Sequence, residues 1–172
     1  MNNTINLENA HHVTLPNGLR AMLCHTPEAS ESFVSMAVRA GHFYDPTDCQ
    51  GLAHLLEHML FMGSRHLPKP NAINGFIEQH GGTINAWTGT EYANYHFSCS
   101  GDTIAQTLPE FADMLRKPLV EEDEQKNEKK NINSELEYKK KDDNRRLYKI
   151  HKETCNTQQH FAKVSVGNRD TF

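Results

Sequence analysis

Tryptophan occurs once in 172 residues, cysteine four times and proline seven times, and no apolar run comes near the roughly 20 residues that a membrane helix needs. The last absence excludes a helical membrane anchor within the sequence as given. The first ten residues, MNNTINLENA, have neither the basic start nor the apolar stretch of an export signal, so none is expected. Cys24, Cys49, Cys99 and Cys155 are widely spaced with no C-x-x-C pair, which offers neither a disulfide framework nor a thiolate zinc site; they read as ordinary reduced cysteines. Basic excess is missing too. A formal net charge of -4 and a pI near 6.2 leave no electrostatic footprint for nucleic acid or an anionic membrane surface. What remains, 37% apolar and 23% charged residues, suits a globular domain with a sizeable core.

The order of local patterns predicts an α+β fold, a mostly antiparallel sheet packed against helices. VTLPNGLRAMLC sets a Pro-Asn-Gly turn between two short apolar runs, a hairpin signal, and SFVSMAVRAG alternates as a third strand. Leu52 to Met62 favours helix and ends at Gly63, and NAINGFIEQHGG reads as an amphipathic helix closed by two glycines. TINAWTGTEYANYHFSCS alternates around Thr88-Gly89 as two further strands. Helices follow over 102–116 and, as one long charged stretch, from Glu121 to about Lys152. The tail NTQQHFAKVSVGNRDTF shows no closing element and is expected to be the cut end of a domain.

Within the first of these helices, GLAHLLEHMLF carries two histidines and a glutamate in an otherwise apolar run. The four-residue step from His54 to His58 rises about 6 Å and turns about 40° past one revolution, so both imidazoles project from one face and can share one ion. Glu57 lies about 60° around the helix from His54, where a general base belongs. Two neutral imidazoles and a carboxylate leave a fourth position for water on zinc, the arrangement of hydrolytic zinc sites. H-x-x-E-H is expected by chance about 0.06 times in a chain of this composition. The alternative is a half-buried helix whose histidines bond to backbone groups. For a third ligand the charged helix offers Glu128 and Glu135, seven residues apart and within about 20° on one face. A fully solvated helix is the alternative there, and spacing does not choose between the two glutamates.

Several motifs in order carry a resemblance: LPNGLRAML, RAGHFYDP, GLAHLLEHMLFMGS, GGTINAWTGTEYANYHF and NEKKNINSELE. From about Val13 to the last residue the chain resembles the pitrilysin and insulin-degrading enzyme family of inverted-motif zinc peptidases. The resemblance implies one Zn2+ per chain with His54 and His58 as ligands, Glu57 as catalytic base, and as third ligand the glutamate 77 residues beyond the second histidine, Glu135. Glu128 falls on the family's other recurrent acidic position, expected to support a ligating histidine. The strand resembling GGTINAWT borders the family's cleft and pairs with extended peptide, which makes Asn85 and Ala86 candidate substrate contacts. Core packing around Trp87 is the alternative for this strand.

The implied activity is a zinc-dependent endopeptidase acting on peptides and small unfolded proteins through a zinc-bound water. Family members are much longer, with four related domains forming two halves around a closed chamber, and the opposing half adds arginine and tyrosine groups to substrate binding. The expected partners are therefore a peptide or small protein substrate and the remaining domains of a longer enzyme. Residues 1–10 read as an N-terminal extension and 11–172 as the N-terminal catalytic, zinc-binding domain, truncated before its end. The competing readings are a non-catalytic member that only binds peptides, and a small metalloenzyme using the same motif on a non-peptide substrate.

Overall fold

A computed structural model describes residues 10–156, 158–168 and 171–172. The expected extension over 1–10 lies outside them except for Ala10. The chain falls into two compact units, Met1–Glu31 and Ser32–Phe172.

In the first unit β1 (Ala10–Thr14) and β2 (Arg20–Cys24) form the expected antiparallel hairpin, in register from Ala10 opposite Cys24 to Thr14 opposite Arg20. The turn follows from its residues. Gly18 sits at φ 86°, a left-handed conformation open to glycine, and Asn17 Oδ1 accepts the Leu19 N–H at 3.1 Å.

The second unit is built on a three-stranded sheet in the order β3-β5-β4, from β3 (Glu31–Val38), β4 (Ile84–Thr88) and β5 (Ala93–Ser100). β4 and β5 are antiparallel, pairing Ile84 with Phe97 through Thr88 with Ala93. Alternation along the central strand places Ala93, Tyr95, Phe97 and Cys99 on the buried face. Against them pack Ile73 and Ile77 of α2 (Ala72–Gln79) and Phe111 and Met114 of α3 (Ile104–Arg116). The Phe97 and Phe111 rings are 4.9 Å apart, and burying a side chain of that size contributes about 1.5–3 kcal/mol. This combination of antiparallel strands and helices is the expected α+β class.

α1 (Leu52–Leu60) turns its other side to a smaller cluster, in which Leu55 and Met59 enclose Ile132 with Met62, Val166 and Phe172 around them. The charged stretch differs from expectation. It is two helices, α4 (Glu122–Lys139) and α5 (Asp143–Thr154), because Asp142 adopts an extended backbone and its carboxylate accepts the Arg145 N–H at 2.9 Å as an N-cap. In the tail, a short 3-10 turn at His160–Ala162 precedes a segment docked by side chains, with Lys163 Nζ donating to the Phe43 carbonyl at 2.8 Å and Val164 N–H to Gln50 Oε1 at 2.7 Å. All four cysteines are free, and among the described residues no helix is long and apolar enough to cross a membrane.

Candidate metal centre

The start of α1 is fixed from outside the helix. Buried Asp45 accepts the N–H of Gly51 at 2.7 Å and of Ala53 at 2.9 Å, satisfying donors that the first turn leaves without partners. Gly51 itself has φ 95°, and a Cβ there would collide with the Gly167 backbone, so glycine alone admits the tail this close. Leu55, Met59 and Leu60 then anchor the helix on its apolar side, which sets the direction of the remaining face.

On that face the rings of His54 and His58 stand 4.7 Å apart at 78°. Glu135 reaches across from α4, its Oε2 3.6 Å from Nε2 of each histidine. These three ligand atoms form the one group of its kind among the described residues that could hold a metal ion. Tetrahedral donors at zinc bond lengths lie about 3.3 Å from one another, close to the 3.6 Å from Glu135 to each histidine.

The far nitrogens are already committed. His54 Nδ1 donates to the Val166 carbonyl at 3.0 Å, which leaves its Nε2 lone pair facing Glu135. His58 Nδ1 lies 2.9 Å from Oε2 of Glu128, a nearly buried carboxylate whose Oε1 accepts from Asn131 Nδ2 at 2.8 Å. The other oxygen of Glu135 is paired with Lys139. Burial and the neighbouring His58 push the His54 pKa below its ordinary value, against the pull of Glu135. Burial works the same way on His58, but hydrogen bonds to Glu135 and Glu128 prevail and raise it. The His58 hydrogen bond, opposed by burial and aided by Lys139, takes Glu135 down to about 2. A carboxylate facing two imidazole nitrogens offers an N, N, O donor set of the kind that suits zinc.

Glu57 reaches the sheet, where its Oε2 accepts the hydroxyl of Thr88. Asn85 and Ala86 lie on β4, the edge strand of the order β3-β5-β4. Asn85 is exposed, and Trp87 is 51% exposed, so core packing around Trp87 does not describe this strand. The solvated reading of the charged helix fails as well, since Glu128 and Ile132 are buried. The structure thus brings His54, His58, Glu128 and Glu135 together, with Glu57 beside them and Asn85 and Ala86 on the neighbouring strand. Sequence reasoning missed Asp45, Thr88 and the Val166 carbonyl. Asp45 had a signal, a carboxylate shortly before a helix start; Thr88 read only as a turn, and a backbone carbonyl has no signature.

A match to Insulinase (Peptidase family M16) runs over residues 20–165. The chain belongs to the M16 family. Among M16 relatives, it is 36% identical over 160 residues to "Insulin-degrading enzyme-like 1, peroxisomal" of Arabidopsis thaliana, covering 93% of this chain and 16% of that protein. To the insulin-degrading enzyme of Homo sapiens it is 34% identical over 158 residues, covering 92% and 16%. The crystal structure of pitrilysin superposes with a TM-score of 0.87 at 30% identity, over 99% of this chain and 19% of that one. The chain therefore spans about a sixth of the length of the curated M16 relatives it matches.

Proposed function

We propose that these residues form the zinc centre of an endopeptidase that hydrolyses peptides and small unfolded proteins. The observation that carries this reading is Glu135 Oε2 lying 3.6 Å from both Nε2 atoms while the Nδ1 atoms are held by Val166 and Glu128. His54, His58 and Glu135 would hold the ion, with Glu128 steadying His58. Bound there, zinc supplies Lewis acidity that polarises the scissile carbonyl and acidifies a water.

The chain's own residues supply the rest. Glu57 takes a proton from the attacking water and returns it to the leaving amine, so one carboxylate serves both halves of the reaction. Its Oε2 is occupied by Thr88, which makes Oε1 the atom for proton transfer. The free edge of β4 beside Asn85 and Ala86 can add an extended peptide as another strand, which gives affinity with little demand on sequence. Further domains of a longer enzyme would close the site around that peptide.

Zinc per polypeptide, measured by elemental analysis on the purified 172-residue chain beside Glu135→Ala, tests the site. Near-unit zinc in the first and a large loss in the second support it. Absence of zinc from a folded chain overturns it. For the base, Glu57→Gln in the full-length protein is expected to retain zinc and lose cleavage; retained cleavage removes Glu57 from its role.

A further inference from the structure

We infer that Thr88 is a positioning residue for the reaction: its hydroxyl holds the Glu57 carboxylate in place and ties the base to the strand that receives the peptide. The inference rests on the reading of Glu57 as the base. Glu57 sits on α1 and Thr88 closes β4, 31 residues later, and the hydroxyl donates to Oε2. A glutamate on a helix surface has three rotatable bonds, and ordering such a side chain costs rotamer entropy. A partner that is itself rigid offsets that cost before substrate arrives.

Thr88 is rigid in this sense. It pairs with Ala93 across the ladder, and the Gly89 N–H donates to the Tyr92 carbonyl at 2.8 Å. The turn that follows is clamped by the segment before α1: Gly41 N–H donates to the Glu91 carbonyl at 3.0 Å, Phe43 N–H to the Thr90 carbonyl at 2.9 Å, and His42 to the Gly89 carbonyl through both its backbone N–H and Nδ1. As a β-branched residue, threonine also has few χ1 choices, so its hydroxyl direction is set by the backbone. Burial, and then the Glu57 charge, push the Tyr95 phenol up to about 12. The carboxylate is thus held by a fixed donor on one oxygen, with the other left for the proton.

The consequence is that an insertion or twist at the edge of β4 would move the base together with the peptide. Strand addition and proton transfer share one ruler. A valine at 88 keeps the shape and the β-propensity of threonine and deletes the donor, whereas serine keeps the donor.

Thr88→Val, Thr88→Ser and Glu57→Gln should be compared in the full-length protein, singly and with Thr88→Val added to Glu57→Gln. Loss of the hydroxyl is expected to lower kcat about 10- to 100-fold, the scale of a misplaced catalytic group, with full metal content. KM should stay within about twofold, serine should restore most of kcat, and valine should cost nothing further once Glu57 is gone. A crystal structure of metal-free Thr88→Val supplies the readout that needs no activity: the Glu57 carboxylate is expected to leave the end of β4. An unmoved carboxylate with unchanged kcat overturns the inference, and so does failure of serine to restore kcat. Full activity in Glu57→Gln is a separate result that removes the base itself, and the displacement of Glu57 in the valine variant then still decides whether Thr88 holds it.

Discussion

The carbonyl of Val166 lies 3.0 Å from Nδ1 of His54, across 112 residues of chain. A helix residue at the centre of the site is therefore oriented by a backbone carbonyl far along the chain. The carbonyl can only accept, so it selects the tautomer in which Nε2 presents a lone pair to a metal. This carbonyl is held through the Val164 to Gln50 hydrogen bond and through Val166 and Phe172 in the α1 to α4 cluster. A chain ending at residue 163 should still fold around the Phe97 core, yet its zinc affinity should fall about 10- to 100-fold, the usual cost of losing a histidine's outer partner. Competition against a chromogenic chelator measures this. Unchanged affinity would show that α1 alone orients His54.

Glu128 plays the matching part for His58, but with a charge. Its Oε2 contacts Nδ1 at 2.9 Å and its Oε1 is spent on Asn131. Glu128→Gln keeps the size of the side chain and removes the charge that holds the Nδ1 proton. Zinc affinity is expected to drop about 10- to 100-fold while far-UV and thermal signatures of folding stay near wild type. Loss of folding in this variant would instead make Glu128 a structural residue of the α1 to α4 contact.

How much of this could be seen in the sequence depends on the range of the interaction. The α1 helix and its two histidines were legible because a short apolar run, an i, i+4 spacing and the Gly63 stop are all local. The β4 to β5 hairpin was legible for the same reason, through alternation around Gly89. Glu135 was not separable from Glu128 by spacing, since both face one side of α4; the structure divides them by reach, with Glu135 Oε2 between the two Nε2 atoms and Glu128 behind His58. The break at Asp142 was hidden by flanking lysines and glutamates of high helix propensity, although an aspartate ahead of Asp143 and Arg145 is a helix start. The docked tail was illegible because its contacts are backbone groups and single side chains far away in the chain.

The start of α1 gives a stability prediction independent of metal. Asp45 accepts two N–H groups of the first turn while buried at 5% exposure, and Lys163 Nζ donates to its carbonyl at 2.5 Å. Asp45→Ala leaves both donors facing a buried cavity and also removes a negative charge from the positive end of the helix. A loss of about 1–3 kcal/mol in urea unfolding is expected, larger than for an exposed cap. Asp45→Asn should recover part of it, because one amide oxygen can still accept. A loss below experimental error in Asp45→Ala would mean that α1 is set by its apolar contacts alone.

The loop leaving α1 depends on a different carboxylate, and here pH is the test. Asp113 of α3 is buried, and its Oδ2 accepts the His66 N–H at 2.8 Å. Burial raises its pKa, but the His66 N–H, the Ser64 hydroxyl and the charges of His66 and Lys117 together outweigh burial and set it below the ordinary 3.8. The sign follows directly. A carboxyl whose folded pKa is depressed releases its proton more readily in the fold, so its contribution is complete above 3.8 and is lost as pH falls through the lower folded value. Asp113→Asn removes the titration and keeps the shape. Urea unfolding in the acid range should therefore show the wild type ahead of Asp113→Asn by a margin that shrinks below about pH 4, the two curves converging as the wild-type carboxyl protonates. A margin that stays constant into the acid range would show that the Asp113 charge contributes nothing, and that the acceptor oxygen lost in Asp113→Asn accounts for the whole difference.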